Sequence, residues 1–432
     1  MKEDLLQFIW KFRYFNTSNL KTVDGSELLI IHPGVQNFNQ GPDFLNARIQ
    51  INGTLWVGNV ELHLFSKQWE YHKHDKDENY KNIILHVVWH HDGDIHDIKG
   101  TKLPTLELEK RVSKILLTRY QTLMEKEQQG KSVFIPCESH LHLVPELTWN
   151  SWKTRMVAER LSEKSKTVFE ILEHTEYNWE ESLWQLIALN FGGKINGQVF
   201  RSVAQSIPQK ILARHKDQLI AIEAMLMGQA GLLNNEFDDS YPKMLKKEYA
   251  FYKNKYKLQT VNGSVLFLRM RPANFPSLRL AQLASLIHNS AHLFSKLKAC
   301  ETIAEIKELL SAEPNEFWLY HYILDDKGDT LKKKPLGKQM VENIIINTIS
   351  PVLFAYGIYF KDEIFKERAI NWLESINPEK NSITSGFERL RIVNKSAFDS
   401  QAFIQMKNNY CNQTRCLQCG IGASILKNEP PN

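Results

Sequence analysis

The chain has 432 residues, of which 43% are hydrophobic and 24% charged, and its formal net charge is +5. This length is too great for one ordinary hydrophobic core and predicts two or three domains. The sequence shows no apolar run that we expect to span a bilayer, and charges interrupt the N-terminal segment where a signal peptide would be apolar. We therefore expect a cytoplasmic protein with no membrane partner.

Charge and histidine are distributed unevenly along the chain. Residues 1–145 contain 17 Lys and Arg against 18 Asp and Glu, and the remaining residues contain 37 against 31. This modest basic surplus permits binding of DNA or RNA without requiring it. Ten of the fifteen histidines lie in residues 1–145, which is the distribution expected of a metal or acid–base site.

The first third of the chain is predicted to form an α/β (α+β) domain over residues 1–128. Apolar periodicity and turn residues predict a helix over 3–15 and strands over 27–32, 44–51, 55–65, 82–89 and 105–109. The dipeptide Asn52-Gly53 is typical of a tight hairpin turn. It would fold the strand 55–65 back on the strand 44–51.

This hairpin carries three candidate catalytic residues. Asp43 opens its first strand, and Glu61 and His63 share one face of its second strand, because residues two apart in a strand point the same way. Two carboxylates suit Mg²⁺ or Mn²⁺, and His63 would assist proton transfer or bind the metal. A strand with one solvated face would show the same alternation, so that interpretation stays open.

Pro42-Asp43 followed eighteen positions later by Glu61-Leu62-His63 resembles the metal-binding signature of the PD-(D/E)XK nucleases. The resemblance implies a restriction-endonuclease-like mixed sheet and divalent-metal-dependent cleavage of nucleic acid. The signature ends in Lys, whereas this chain has His63 there, a weaker electrostatic partner for the transition state. Lys67 could replace that lysine, or catalysis could have been lost.

The whole chain also resembles an uncharacterised bacterial family known as a domain of unknown function. The resemblance is carried by GPDF at 41–44, WVGNVELH at 56–63, ILHVVW at 84–89, GQAG at 228–231, RPANFP at 271–276 and CNQTRCLQCGIG at 411–422. Such a family implies a fold and no established activity.

A histidine-rich segment follows the predicted metal strand. His72 and His74 lie in the sequence WEYHKHDKD, and we expect them either to position substrate beside Glu61 or to belong to a solvated charged loop. His86 alternates with apolar residues in the next strand, which favours a core histidine over a ligand.

Beyond residue 128 the apolar spacing becomes helical and predicts a helical domain over 129–410. The predicted helices span 147–174, 179–190, 209–227, 241–256, 276–295, 338–355, 362–376 and 387–408. Arg269, Arg271 and Arg279 flank a proline-bounded bend, where arginines near a helix start suit phosphate binding. Ordinary surface arginines are the alternative.

The tail over 411–432 contains Cys411, Cys416 and Cys419 in a C-x4-C-x2-C pattern. In a cytoplasmic protein this pattern favours Zn²⁺ or an iron–sulfur cluster, with Cys137 as the preferred fourth ligand and Cys300 or a histidine as alternatives. Some PD-(D/E)XK nucleases hold a cluster with one distant and three C-terminal cysteines, a distribution similar to this one. Reduced, packed cysteines remain the simpler interpretation.

Two functions follow from these patterns. The first is a metal-dependent nuclease that uses Asp43, Glu61 and His63. The second is a non-catalytic nucleic-acid-binding or scaffold protein that retains a nuclease-like fold, which His63 at the lysine position favours.

Overall fold

A computed structural model describes residues 1–128, 133–259, 261, 263–290 and 292–427, without the side chains of residues 123–128. The chain forms two compact units, which we call unit 1 (Met1–Trp152 with Met406–Asn432) and unit 2 (Lys153–Gln405). The predicted domain boundary lies between residues 128 and 129. Residues 129–132, directly after it, are outside the described residues. The end of the predicted tail, 428–432, lies outside them as well. The three-part division stays a prediction.

Unit 1 begins with a mixed sheet and three helices. In chain order these elements are α1 (Glu3–Phe12), β1 (Leu28–His32), β2 (Val35–Gln36), β3 (Phe44–Ile51), β4 (Thr54–Phe65), α2 (Gln68–Tyr71), β5 (Ile83–His90), β6 (Thr105–Glu107) and α3 (Lys114–Gln128). The predicted mixed sheet in the first third of the chain is therefore confirmed.

The sheet has the strand order β1-β3-β4-β5-β6, with β2 paired to β3. The pairs among β1 to β4 are antiparallel, whereas β4 with β5 and β5 with β6 are parallel. Asn52 and Gly53 both have positive φ, as a two-residue hairpin turn requires. The parallel β4–β5 pair needs a crossover, and the segment 66–82 supplies it.

Apolar side chains fix this crossover segment to the sheet. Trp69 and Tyr80, near its two ends, are buried in a cluster with Ile83, Ile95 and Leu103. Two aromatic anchors of this size each bury a large apolar area. The intervening residues are therefore held against the sheet at both ends of the segment.

Unit 2 confirms the predicted large helical region. The α-helices that follow α3 in the described residues are α4 (Glu146–His174), α5 (Trp179–Ser206), α6 (Gln209–Arg214), α7 (Leu219–Gln229), α8 (Ser240–Tyr256), α9 (Pro276–Asn289), α10 (Leu293–Ala299), α11 (Ile303–Leu309), α12 (Lys338–Ile344), α13 (Ser350–Phe360), α14 (Glu363–Glu374), α15 (Ser382–Arg389), α16 (Ala397–Met406) and α17 (Gly420–Lys427). Of these, α17, the start of α4 and the last residue of α16 belong to unit 1. A two-stranded hairpin, β7 (His321–Ile323) with β8 (Asp326–Lys327), interrupts them.

Several helices differ in extent from the prediction. The predicted helix 209–227 is divided into α6 and α7, and 276–295 is divided into α9 and α10. α5 runs past the predicted end at residue 190 with a kink at Gly193, where φ is 60° and ψ is −157°. Glycine tolerates this conformation without a side-chain clash, so the helix resumes after it.

One apolar helix corrects the expectation that no run could span a bilayer. The continuous helix Lys338–Phe360, which joins α12 and α13 through a π-helical segment, is long and apolar enough by length and composition. The apolar character of this helix is hard to recognise in the sequence because Asn343, Asn347 and Thr348 interrupt the apolar residues. Within unit 2, 67% of its most apolar window is buried, as in the core helix of a globular protein.

Candidate metal centre

Asp43 and Glu61 meet at the start of the β3–β4 hairpin and hold each other through backbone groups. The Asp43 N–H donates to Glu61 Oε2 at 2.9 Å, and the Leu62 N–H donates to Asp43 Oδ2 at 3.0 Å. Asp43 Oδ1 accepts from Gln7 Nε2 of α1 at 2.8 Å. None of these three hydrogen bonds involves the second carboxylate oxygen of Glu61, Oε1.

Glu61 Oε1 faces a cluster of imidazoles, which we call the histidine cluster (His63, His72 and His74). Their ligand nitrogens all lie within 4.8 Å of one another. His63 Nε2 is 3.2 Å from His72 Nδ1. Glu61 Oε1 is 3.5 Å from His74 Nε2 and 3.8 Å from His63 Nε2. The three nitrogens thus form one group, and Glu61 Oε1 lies beside two of its members.

Three of these separations are close to those between ligands of one metal ion. Ligands about 2.0–2.2 Å from Zn²⁺ stand about 3.3–3.5 Å from one another at tetrahedral angles. The distances of 3.2, 3.5 and 3.8 Å scatter around that value. The three imidazoles therefore fit a divalent ion that accepts nitrogen ligands, such as Zn²⁺.

The crossover segment brings His72 and His74 to the sheet. The ring of His74 stacks on Tyr80 with a centroid distance of 3.9 Å and meets Trp69 edge-on at 5.3 Å. The backbone of Lys73, between the two histidines, has a positive φ of 61°. His74 is partly buried and His72 is exposed. The histidine cluster therefore reaches from the core to solvent.

His86 on β5 supports His63 from the buried side. Its Nε2 lies 2.8 Å from His63 Nδ1, and the residue is fully buried. Among the described residues, His86 Nδ1 has no hydrogen-bond partner. Ligating histidines are commonly oriented by a partner on the second ring nitrogen. The prediction of a core histidine thus describes its burial, while its contact with His63 adds a positioning role.

Burial sets the charge state of the histidine cluster. Burial, followed by the neighbouring imidazoles, lowers the pKa of His63 to about 2 and that of His74 to about 4. Burial, followed by His74 and His91, lowers the pKa of His86 to about 3. Neutral imidazole is the form that binds a metal. His63, His74 and His86 are thus neutral near neutral pH.

The two carboxyl groups shift in the opposite direction. Burial raises the pKa of Asp43 to about 7. Burial, followed by the charge of Asp43, raises the pKa of Glu61 to about 9. Both shifts reflect negative charge held out of water without a cation. A divalent ion at Glu61 Oε1 would supply the missing positive charge.

The sequence prediction missed two residues of α1. Gln7 binds Asp43, and Glu3, one helical turn earlier, lies close enough to both carboxyl groups to raise the pKa of each. Burial also raises the pKa of Glu3 itself, while the charge of His72 lowers it. The i, i+4 spacing of Glu3 and Gln7 places both on one face of α1, and this was the available signal.

The other predicted substrate-binding residues lie in unit 2. Arg269 and Arg271 are exposed beside the bend that precedes α9. Arg279 donates to Asn274 Oδ1 at 2.7 Å and to Gln282 Oε1 at 2.9 Å. Its guanidinium thus serves a local network, while phosphate binding by these arginines stays a prediction.

Lys67, the alternative to the missing lysine, packs beside Gly93. A Cβ built on Gly93 would lie 3.1 Å from Lys67 Cε. The backbone N–H of Lys67 donates to Asp92 Oδ1 at 3.0 Å. Its stem therefore lies along the turn after β5.

The predicted cysteine ligands all lie in unit 1. Cys137, Cys416 and Cys419 are buried and Cys411 is partly buried, whereas Cys300 belongs to unit 2. Another group of possible metal ligands consists of His90, Glu107 and Glu109, and it is largely exposed. Exposed groups of this kind are common without a metal.

Comparison with curated proteins and with solved structures finds no match to the chain. The resemblance to PD-(D/E)XK nucleases is therefore not confirmed and remains a prediction. A family profile matches residues 3–382, which is most of the chain and includes the histidine cluster. The chain belongs to the family described as "Protein of unknown function (DUF2851)".

Proposed function

We propose that the protein is a divalent-metal-dependent hydrolase that cleaves phosphodiester bonds of nucleic acid. The observation that carries the proposal is the grouping of His63, His72 and His74 at metal-ligand spacing, with Glu61 Oε1 at 3.8 and 3.5 Å from two of them. A bound divalent ion supplies a Lewis acid and lowers the pKa of a coordinated water towards neutrality.

The residues of the site would divide the work. The three imidazoles and Glu61 Oε1 would hold the ion, and His86 would orient His63 through the 2.8 Å contact between their rings. His72 is exposed, so water and substrate can reach this side of the cluster. Solvent at this edge accepts the proton of the attacking water and returns one to the leaving oxygen.

Asp43 acts as a positioning residue in this proposal. Its N–H fixes Glu61 Oε2, and its carboxylate is fixed by the Leu62 N–H and by Gln7. The predicted pairing of Asp43 with Mg²⁺ or Mn²⁺ remains a second use of the same side chain. Each of its oxygens has a further lone pair available for an ion.

We infer a phosphodiester substrate from the order of the secondary-structure elements in unit 1. An antiparallel hairpin carries Asp43 at its start and Glu61 on its second strand, and a parallel strand follows through a crossover. This is the arrangement that the resemblance to PD-(D/E)XK nucleases implies. The balanced charge of residues 1–145 does not by itself attract nucleic acid, so the bound ion would supply the local positive charge.

The test is a cleavage assay with labelled single-stranded, duplex and branched DNA and with RNA. We expect cleavage in the presence of Mn²⁺, Mg²⁺ or Zn²⁺, none with a chelator, and at least about 100-fold less with Glu61→Gln. His96→Ala, which removes an exposed histidine outside the cluster, should retain full activity. No cleavage of any substrate with any of the three ions would contradict the proposal.

A non-catalytic nucleic-acid-binding or scaffold function is the second candidate. Glu61 and His63 are only 5% and 1% exposed, and four protein ligands are typical of structural zinc. Under this function, Glu61→Gln would lower metal affinity and thermal stability but leave nucleic-acid affinity unchanged. Gel-shift and melting measurements on the same variant distinguish the two functions.

A further inference from the structure

Four of the five cysteines meet in unit 1 from distant parts of the chain. Cys137 immediately precedes the 3-10 helix Glu138–Leu143, about 270 residues before Cys411. Cys411 ends a π-helical turn, while Cys416 and Cys419 bracket a 3-10 turn directly before α17. α17 packs against both 3-10 helices, so the two segments meet at its start.

The four thiols are close enough to influence one another electrostatically. Burial raises the pKa of Cys137, and the charges of Cys419 and Cys416 raise it further. Burial likewise raises the pKa of Cys411, with further increases from Cys419, Cys137 and Cys416. Cys137, Cys416 and Cys419 are each 7% exposed. Three buried thiols and one partly buried thiol thus lie in the same part of unit 1.

Glycines shape the turn that presents Cys416 and Cys419. A Cβ on Gly422 would lie 2.3 Å from the Cys416 carbonyl oxygen, and a Cβ on Gly420 would lie 2.7 Å from the Trp152 ring. Neither distance is compatible with a side chain. The backbone around Cys416 and Cys419 is thus closely packed, and the turn requires glycine at both positions.

We propose that Cys137, Cys411, Cys416 and Cys419 bind a thiophilic metal centre that joins the two chain segments of unit 1. Thiolates are the ligands preferred by zinc and iron–sulfur clusters, and a metal would offset the mutual repulsion of four ionised sulfurs. Such a centre stabilises the fold because its ligands come together only in the folded state. This inference is independent of the proposed hydrolase activity.

Zinc and an iron–sulfur cluster share this ligand chemistry and differ in size. Among the described residues, the groups of possible metal ligands whose ligand atoms lie within 4.8 Å of one another consist of His and Glu residues. These cysteines are not among them, so their sulfur atoms are more widely spaced. The sulfur edge of a zinc–thiolate tetrahedron is about 3.8 Å. A zinc ion would draw the thiols together, whereas a cluster of several iron atoms would bridge a wider set.

The experiment is metal and acid-labile sulfide analysis of anaerobically purified full-length protein, with Cys416→Ser and Cys137→Ser as variants. A metal that is present in wild type and lost from both variants supports the proposal. Zinc without colour, or iron with matching sulfide and absorption near about 400 nm, then identifies the centre, whereas zinc that the variants retain would belong to the histidine cluster. Each variant should lose that metal and melt about 10 °C or more lower. Cys300→Ser should retain both properties.

Alkylation with mass spectrometry gives a result even where a variant fails to fold. In the native wild-type protein, a chelator that removes the metal should increase alkylation of the four cysteines at least tenfold and leave Cys300 unchanged. Equal alkylation before and after chelation would overturn the proposal. Equal zinc, iron and sulfide in wild type and folded Cys416→Ser would overturn it as well.

Discussion

Each unit of the protein buries a polar cluster, and the two clusters are satisfied in opposite ways. In unit 2, Glu223 of α7 is 0% exposed, with Trp318 Nε1 donating to Oε1 at 2.7 Å and Asn315 Nδ2 donating to Oε2 at 2.9 Å. Every contact pairs a donor with an acceptor. This is the pattern of a buried acid that supports a fold.

The histidine cluster of unit 1 brings together groups with lone pairs. His63 Nε2 and His74 Nε2 both face Glu61 Oε1 beyond hydrogen-bond distance, at 3.8 and 3.5 Å. A neutral imidazole offers one proton and one lone pair, so the cluster can either donate to Glu61 or present lone pairs to an ion. The contrast with Glu223 is that these contacts with Glu61 are longer than hydrogen bonds, and a metal cation is the partner that we propose for them.

The largest expected effect is on stability through Glu223. Glu223→Ala removes the carboxylate and leaves the Trp318 and Asn315 donors buried and unpaired, which should lower the free energy of unfolding by about 3–5 kcal/mol. Urea unfolding followed by circular dichroism measures it. Glu308→Ala, on an exposed position of α11, should change stability by less than about 0.5 kcal/mol. A loss under 1 kcal/mol for Glu223→Ala would break the comparison.

The second effect is a pH dependence of stability that belongs to Glu223. Burial raises the folded-state pKa of Glu223 from 4.5 to about 7, so between these values the folded state holds a proton that the unfolded state has lost. The contribution of Glu223 to the free energy of unfolding is therefore largest below pH 4.5 and falls by about 3 kcal/mol as the pH rises to 7.

Glu223→Gln isolates this contribution from those of other groups. The amide mimics the neutral acid and does not titrate, so the difference in unfolding free energy between the variant and wild type should grow from pH 4.5 to 7 and then level off. Urea unfolding at several pH values measures that difference. A constant difference across the range would show that Glu223 is ionised in the folded protein.

A smaller effect is expected at His86. His86→Phe keeps much of the buried volume but removes the nitrogen that contacts His63 Nδ1 at 2.8 Å. We expect metal affinity to fall about 10- to 100-fold, or about 1.4–2.7 kcal/mol. Competition with a chromophoric chelator measures the affinity, and melting of the metal-free protein controls for folding. Unchanged affinity would remove the positioning role of His86.

The smallest effect is expected at Gln7. Gln7→Ala removes one hydrogen bond to Asp43 and one from Gln36, and should lower the free energy of unfolding by about 1 kcal/mol. Metal affinity should change by less than about threefold, because the Leu62 N–H still holds Asp43. A tenfold loss of affinity would make α1 part of the metal centre.

The strands and the Asp43–Glu61 pairing could be predicted because local patterns determine them. The strand Phe44–Ile51 was predicted with its observed ends. The Asn52-Gly53 turn and the alternation of apolar and polar residues fix its register. Helix ends were predicted less well. Breaks such as the one between α6 and α7 depend on packing, which propensity does not encode.

The histidine cluster could be predicted only in part. The sequence placed His63 beside Glu61, but the approach of His72 and His74 depends on Trp69 and Tyr80 anchoring the crossover in the core. Those aromatic residues at the two ends of a histidine-rich segment were the available signal. The contact of His86 with His63 requires the parallel pairing of β4 with β5, which the sequence pattern alone does not specify.

The most direct test of the metal centre is a Mn²⁺ titration of metal-free protein, followed by the electron paramagnetic resonance signal of free Mn²⁺. Mn²⁺ is a harder ion than Zn²⁺ and thiolates do not favour it, so the cysteines should not compete for it. We predict one bound ion per chain in wild type and in His96→Ala, with affinity at least about 100-fold lower in His72→Ala. Equal Mn²⁺ binding by His72→Ala and wild type would contradict the account.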